Sequence, residues 1–377
     1  MNNNKKKPYQ TSASVNAGLP PLELGEKPWS YFEFWPTAVF YFPVVIYWLW
    51  LGLRYRSLGL PLIANPNIPL GGMVGESKSD ILLSAGSQAN KYILPFTIHV
   101  REAEAAASMQ AKAALAVAEE NGLGLPLVVK PDLGCRGRAV RVVEDESDLA
   151  AYIEEFPAER KYLLQKLSPW KAEAGIFYVR LPGESAGRIT SITLKYVPTV
   201  VGDGRSSIKQ LLNRHPRTRK LRRLYLKKLD EKANLVPEEG EEIALTFSGS
   251  HCRGSIFRDG NKYFSKEMEG VIDNVLCDLP DFHYGRLDIK FEDIASLQAG
   301  RNFCIIEVNG ASSEATHIWD SRGSLSAVFK TLLGQYRTLF KIGDRLRSAG
   351  CKPASSLNLI REWLKELKSS SSYPEGH

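Results

Sequence analysis

The chain has 377 residues, 44% of them hydrophobic and 24% charged, which is too long for one ordinary domain and too apolar for a disordered polyelectrolyte. A formal charge of +7 and a pI near 9.0 suit a polyanionic partner, such as nucleotide phosphates or an anionic membrane surface. Cys135, Cys252, Cys277, Cys304 and Cys351 lie far apart with no CxxC or Cys/His spacing, which argues against a zinc site or a disulfide framework and for a reducing cytosol.

Residues 1–28 are polar, with Pro and Gly scattered through them, and read as a disordered lead; no early apolar run suggests a cleaved signal peptide. Residues 36–53 then carry no charge and include six aromatics, with Trp29 and Trp35 before them and Arg54 and Arg56 after. That length is marginal for a bilayer span, and Pro43 is expected to kink it. Edge aromatics and a terminal arginine mark a membrane-associated segment, either spanning or lying in the interface, and a buried core helix is the competing reading. A turn-rich stretch at 65–75 closes this region.

An Ala- and Glu-rich helix is predicted at 101–121, followed by strands at 125–130 and 140–143. A helix from Asp145 to Phe156 and a strand at 162–167 come next. Short strands and helices alternate to about residue 310 in hairpin-like pieces, which predicts α+β sheets rather than a doubly wound domain. The basic run 214–232 is either a solvated helix face over Leu221, Leu224 and Leu229 or an anion-binding element. Its lack of interleaved aromatics speaks against nucleic acid. Two closing helices are expected at 323–347 and 355–368, the second with Leu357, Ile360, Trp363, Leu364 and Leu367 on one face.

The strongest chemical signal is Gly285-Arg286-Leu287-Asp288-Ile289-Lys290-Phe291, followed nineteen positions after Asp288 by Glu307 in Cys304-Ile305-Ile306-Glu307-Val308-Asn309-Gly310. Strand period two points Glu307 and Asn309 the same way. Asp288, Glu307 and Asn309 offer hard oxygen ligands of the kind Mg²⁺ prefers, and Arg286 shares that face as an oxyanion binder. Lys130 ends a strand just before a loop holding Gly134 and Gly137, whose backbone N–H groups suit a phosphate while the lysine supplies point charge. The apolar edge Leu163–Leu164–Gln165–Lys166–Leu167 can flank an adenine, with Glu173 beyond. His251 is either a proton acceptor or a loop histidine.

Taken together with Lys78 and Lys195, this set resembles the ATP-grasp superfamily over residues 75–330. The likeness is to the D-alanine–D-alanine ligases and to the RimK- and cyanophycin-synthetase-like carboxylate–amine ligases. The resemblance implies an ATP-grasp fold of two α+β subdomains with ATP between them, here carrying an N-terminal hydrophobic helical segment. It implies that Lys78, Lys130 and Lys195 hold phosphates, that Gln165, Lys166 and Leu167 form the adenine hinge, and that Glu173 reaches the ribose. Asp288, Glu307 and Asn309 would bind Mg²⁺, and Arg286 would steady the tetrahedral intermediate. Gln165 replaces a frequent Glu, Cys135 and Arg136 stand where serines are usual, and an aromatic segment takes the place of the N-terminal substrate domain.

The expected organisation is a lead at 1–28, a membrane-associated segment at 29–74, the ATP-grasp domain at 75–345 and a C-terminal helix with a loose tail at 346–377. The expected activity joins a small-molecule or lipid-linked carboxylate to an amine with ATP and Mg²⁺, on the cytoplasmic face of a membrane. A small-molecule kinase or a tethered nucleotide-binding module without turnover are the alternatives.

Overall fold

Alternation builds the larger sheet. In β10 (Tyr284–Phe291) the residues Leu287, Ile289 and Phe291 enter the main core, so period two turns Arg286, Asp288 and Lys290 to the opposite face. The computed structural model describes residues 15–22, 27, 29–134, 137–247, 249 and 254–374. Five antiparallel strands run in the order β11–β10–β5–β6–β9, with β5 at Ala172–Val179, β6 at Arg188–Tyr196, β9 at Ile256–Asp259 and β11 at Phe303–Asn309. Behind the sheet, α8 (Lys266–Cys277) buries Met268, Ile272 and Leu276 against it. Ser265 caps this helix by accepting the Met268 N–H.

A second sheet has the order β1–β4–β2–β3, from Phe96–Val100, Lys161–Lys166, Leu127–Pro131 and Arg141–Val143. Its Leu127, Val129 and Leu164 pack on α3 (Ala107–Glu120) and α4 (Glu146–Glu155). Lys130 and Gln165 therefore fall on the other face, toward the larger sheet. The first predicted helix starts later than its composition suggested, at Ala107, while Asp145 caps α4 as expected. The short helix α2 (Lys78–Leu83) is capped by Ser77, whose hydroxyl also donates to buried Asp132 at 2.8 Å.

A small two-stranded unit, β7 (Thr199–Val201) with β8 (Glu242–Ala244), carries α5 (Ile208–Leu211), α6 (Pro216–Lys220) and α7 (Arg222–Leu229). The basic run is thus broken by Pro216 and Leu221 rather than one helix. Leu221, Leu224 and Leu229 pack around buried Tyr225, and the run is only partly a solvated face. Arg217 is buried and bound to Glu33 at 2.8 Å, and Lys220 sits over the rings of Trp29 and Phe34.

Residues 36–53 form a single helix, α1 (Thr37–Arg54), which continues through Pro43. It lies along α10 (Leu325–Ser348), with Phe40 stacked on Trp319 and Phe329 and Trp48 against Tyr336 and Phe340. The short α9 (Ile294–Gln298) joins β10 to β11, and the last helix is α11 (Ser356–Ser371).

Part of the expected disordered lead is ordered. Asn16 is buried and exchanges two hydrogen bonds with the backbone of Val197, and Tyr196 donates to the Pro20 carbonyl. Leu19 and Leu22 rest on the main core, so two apolar side chains and a saturated amide hold a segment whose overall polarity suggested none of this.

Candidate active site

Lys130 crosses from one sheet to the other. Its ammonium donates at 2.8 Å to the Gln165 side-chain oxygen, and at 2.8 Å to the main-chain oxygen of Ile306. That carbonyl is free because β11 is bulged. Asp288 pairs with Glu307 and Ile289 with Ile305, which leaves Ile306 as the extra residue. The residue after the bulge is Glu307, which Lys78 approaches to 3.6 Å from the start of α2. The Lys78 ammonium also donates to the carbonyls of Asp132 and Gly134, both at 3.3 Å, which ties the glycine loop to the same cleft. Gly134 and Gly137 have φ of +44° and +81°, a left-handed backbone that glycine adopts without strain. Cys135, Arg136 and His251 lie outside the described residues.

Across the larger sheet the registers Asn309–Arg286–Phe177–Ser191 and Glu307–Asp288–Gly175–Thr193 set polar groups side by side on one face. Asp288 is gripped by Lys195 at 2.8 Å and by Arg286 at 2.8 Å. Arg286 also donates to the Glu314 carbonyl. Gly175 lies beneath this trio, where a Cβ would sit 3.1 Å from Arg286 Cδ, 3.3 Å from Asp288 Oδ1 and 3.4 Å from Lys195 Cε. Burial alone pushes the Asp288 carboxyl up, but Arg286 and Lys195 outweigh it and hold it near about 2.

Glu76 was missed from the sequence. It accepts the Gly310 N–H at 2.8 Å, and burial raises its carboxyl to about 7, aided by the charge of Glu307. Burial lowers the Lys130 ammonium to about 8, against the pull of Glu307. Lys290 was also unassigned, though its place two residues past Asp288 on an alternating strand was the available signal. It binds Glu173 at 3.0 Å.

The residues expected at the ribose and the hinge have protein partners of their own. Glu173 is buried between Lys195 (3.1 Å) and Lys290, and a Cβ on Gly249 would meet its carboxylate at 2.2 Å. It pairs with two lysines, contacts that the resemblance does not reveal. Lys166 is exposed and its N–H is used by the Pro95 carbonyl, so the strand junction takes a group the hinge was expected to offer. Gln165 is buried, with its amide nitrogen donating to the Leu94 carbonyl, and Leu167 follows at the strand end.

For a metal, the donor set is chemically apt. Asp288 and Glu307 are directly opposed carboxylates, and Asn309 shares their face with its buried amide nitrogen lacking a protein partner. Among the described residues no group of three or more His, Cys, Asp or Glu side chains forms a closed metal cage. Mg²⁺ seeks few protein ligands and completes its shell with phosphate and water, so two carboxylates and one amide fit it. Five cations (Lys78, Lys130, Lys195, Arg286 and Lys290) meet the carboxyl groups of Glu76, Asp132, Glu173, Asp288 and Glu307. Lys78 and Lys130, from the smaller sheet's side of the cleft, are the cations suited to a polyphosphate.

No family model and no curated protein matches the chain. Among solved structures it is similar to a bifunctional glutathione synthetase from Pasteurella multocida, with 15% identity and a TM-score of 0.34, over 68% of this chain and 36% of that one. It is also similar to the VanG D-Ala:D-Ser ligase from Enterococcus faecalis, with 14% identity and a TM-score of 0.36, over 70% and 64%. A third is the D-alanine–D-alanine ligase from Bacillus anthracis, with 13% identity and a TM-score of 0.38, over 74% and 73%. The chain thus spans about a third of the first and under two thirds of the second.

Proposed function

We propose that this protein is an ATP- and Mg²⁺-dependent ligase that joins a carboxylate to an amine. The observation that carries this reading is the contact of Lys130, from one sheet, with the bulge carbonyl beside Glu307 on the other. Groups suited to phosphate and groups suited to a divalent metal share one cleft.

Phosphoryl transfer needs alignment and charge neutralisation more than covalent help from the protein. Lys78, Lys130 and the glycine loop would hold the triphosphate. Asp288, Glu307 and Asn309 would hold Mg²⁺, which when bound neutralises phosphate charge. A substrate carboxylate oxygen attacks the γ-phosphorus while the bond to the bridging oxygen breaks and ADP leaves. The amine nitrogen then attacks the acyl carbon, loses its proton, and inorganic phosphate departs. Arg286 would face the oxyanion of that second step. Lys195, which would also face phosphate, and Lys290 keep Glu173 and Asp288 ionised and fixed on the same face. The substrates would be small or lipid-linked carboxylates and amines.

ADP release measured with Mg²⁺ over a panel of amino acids and amino-lipids tests this, with products read by mass spectrometry. The expected result is ADP formation that depends on one carboxylate–amine pair and matches amide formed one to one. ADP with a phosphorylated product and no amide would make the protein a kinase instead, and no panel-dependent ADP release would overturn the reading.

A further inference from the structure

Two helices turn apolar residues to the outside. Along α1, Val39, Phe42, Ile46, Leu49 and Leu53 recur at helical spacing and are 48–80% exposed, while Phe40, Val44 and Leu51 on the opposite side are buried. The pattern of α11 is inverted for a helix in water. Its partly buried side presents Leu359, Glu362 and Glu366, with Glu366 accepting the Gly75 N–H at 2.8 Å. Leu357, Ile360, Leu364 and Leu367 point away from the protein and are 48–76% exposed. A soluble surface helix does the reverse, and contiguous exposed apolar faces of this kind mark an interaction surface.

The two helices meet at a basic margin. Gly59, shortly after α1, packs so closely on the Ala354 carbonyl, just before α11, that a Cβ would lie 2.2 Å from it. Arg347 at the end of α10 donates to the Tyr55 carbonyl at 2.9 Å. Arg54, Arg56 and Arg347 line an open cleft there with a single carboxylate, Asp344, and Lys352 is exposed on the connection to α11. Arg54 also lies over the Trp50 ring at 5.8 Å.

We propose that α1 and α11 form one surface that docks on an anionic lipid bilayer, an inference that goes beyond the ligase activity. Apolar stripes ending in basic residues and a tryptophan match the interface of an anionic leaflet, where carbon chains take the stripe and headgroup phosphates take the arginines. Within the described residues α1 is the one helix long and apolar enough to cross a bilayer. A crossing would strip Phe40, Val44 and Leu51 from their packing on the protein, whereas docking in the plane keeps them in place.

Flotation of the full chain decides this, using vesicles of phosphatidylcholine alone and of phosphatidylcholine mixed with phosphatidylglycerol. The wild type should float with the anionic vesicles, and less so as salt rises. Each basic residue near an anionic leaflet is worth about fivefold, so the Arg54→Ala/Arg56→Ala/Lys352→Ala variant should partition roughly a hundredfold more weakly. Leu53→Glu and Leu364→Glu, at exposed positions that leave the core untouched, should each weaken binding as well. Failure to float with either vesicle would overturn the proposal, as would flotation indifferent to lipid charge and to all these variants. Light scattering that showed a dimer dissolved by Leu49→Glu, without vesicle binding, would assign the face to a second copy and overturn it too.

Discussion

Lys130→Met is expected to lower ATP turnover by roughly a hundredfold or more and to weaken nucleotide binding by a similar factor, since a preorganised charged donor in a dry site contributes several kcal/mol to a developing phosphate charge. The side chain is almost fully buried, and its ammonium is aimed by Gln165 and the Ile306 carbonyl. Methionine keeps the volume and removes only the charge, so the fold should survive, as near-native circular dichroism would verify. The same lysine predicts a pH dependence. Burial has lowered its ammonium to about 8, so the cation is present below that pH and lost as pH rises through it. ATP affinity of the wild type should fall above pH about 8, whereas in Lys130→Met that limb should vanish. Equal affinities for the two proteins at neutral pH would remove Lys130 from the phosphate site.

Glu33→Ala should destabilise the protein by about 3–5 kcal/mol, the range for removing one partner of a buried ion pair. Glu33 and Arg217 are each only a few per cent exposed, and the guanidinium binds both carboxylate oxygens, at 2.8 and 3.3 Å. It also donates to the carbonyls of Gly254 and Ser255. Without Glu33 the buried guanidinium loses its two-pronged carboxylate partner, and one tie between the aromatic segment and the small two-stranded unit is lost. Thermal unfolding should therefore begin roughly 6–15 °C lower. The double variant Glu33→Leu/Arg217→Met should recover much of the loss, because an apolar pair of similar volume avoids the stranded charge. A shift of less than about 2 °C in Glu33→Ala would mean that the pair is solvated.

Much of the cleft was legible from strand periodicity. Arg286 with Asp288, and Glu307 with Asn309, share a face because alternation requires it, and both strands formed within one residue of their expected bounds. What was not legible depends on the third dimension. The bulge that frees the Ile306 carbonyl arises from pairing with β10 and leaves no mark in Cys304-Ile305-Ile306-Glu307. Gly175 matters because three charged side chains of two other strands pass over it, and Glu76 because Gly310 folds back onto it. Glu173 was assigned by resemblance, whereas its neighbours in the sheet, Lys195 and Lys290, make it a counter-ion. The aromatic stretch gave a helix but not its dock on α10, since an apolar helix against a protein and one against lipid share a composition.

In the proposed enzyme one metal-bound triphosphate is held between Lys130 and the Asp288, Glu307 and Asn309 set. Calorimetric titration with a non-hydrolysable ATP analogue, with and without Mg²⁺, tests it most directly in the wild type and in Glu307→Gln. The wild type should bind saturably and at least roughly tenfold more tightly with Mg²⁺, and the variant should bind with little metal dependence. Absence of binding to the wild type, or an undiminished metal effect in Glu307→Gln, would contradict it.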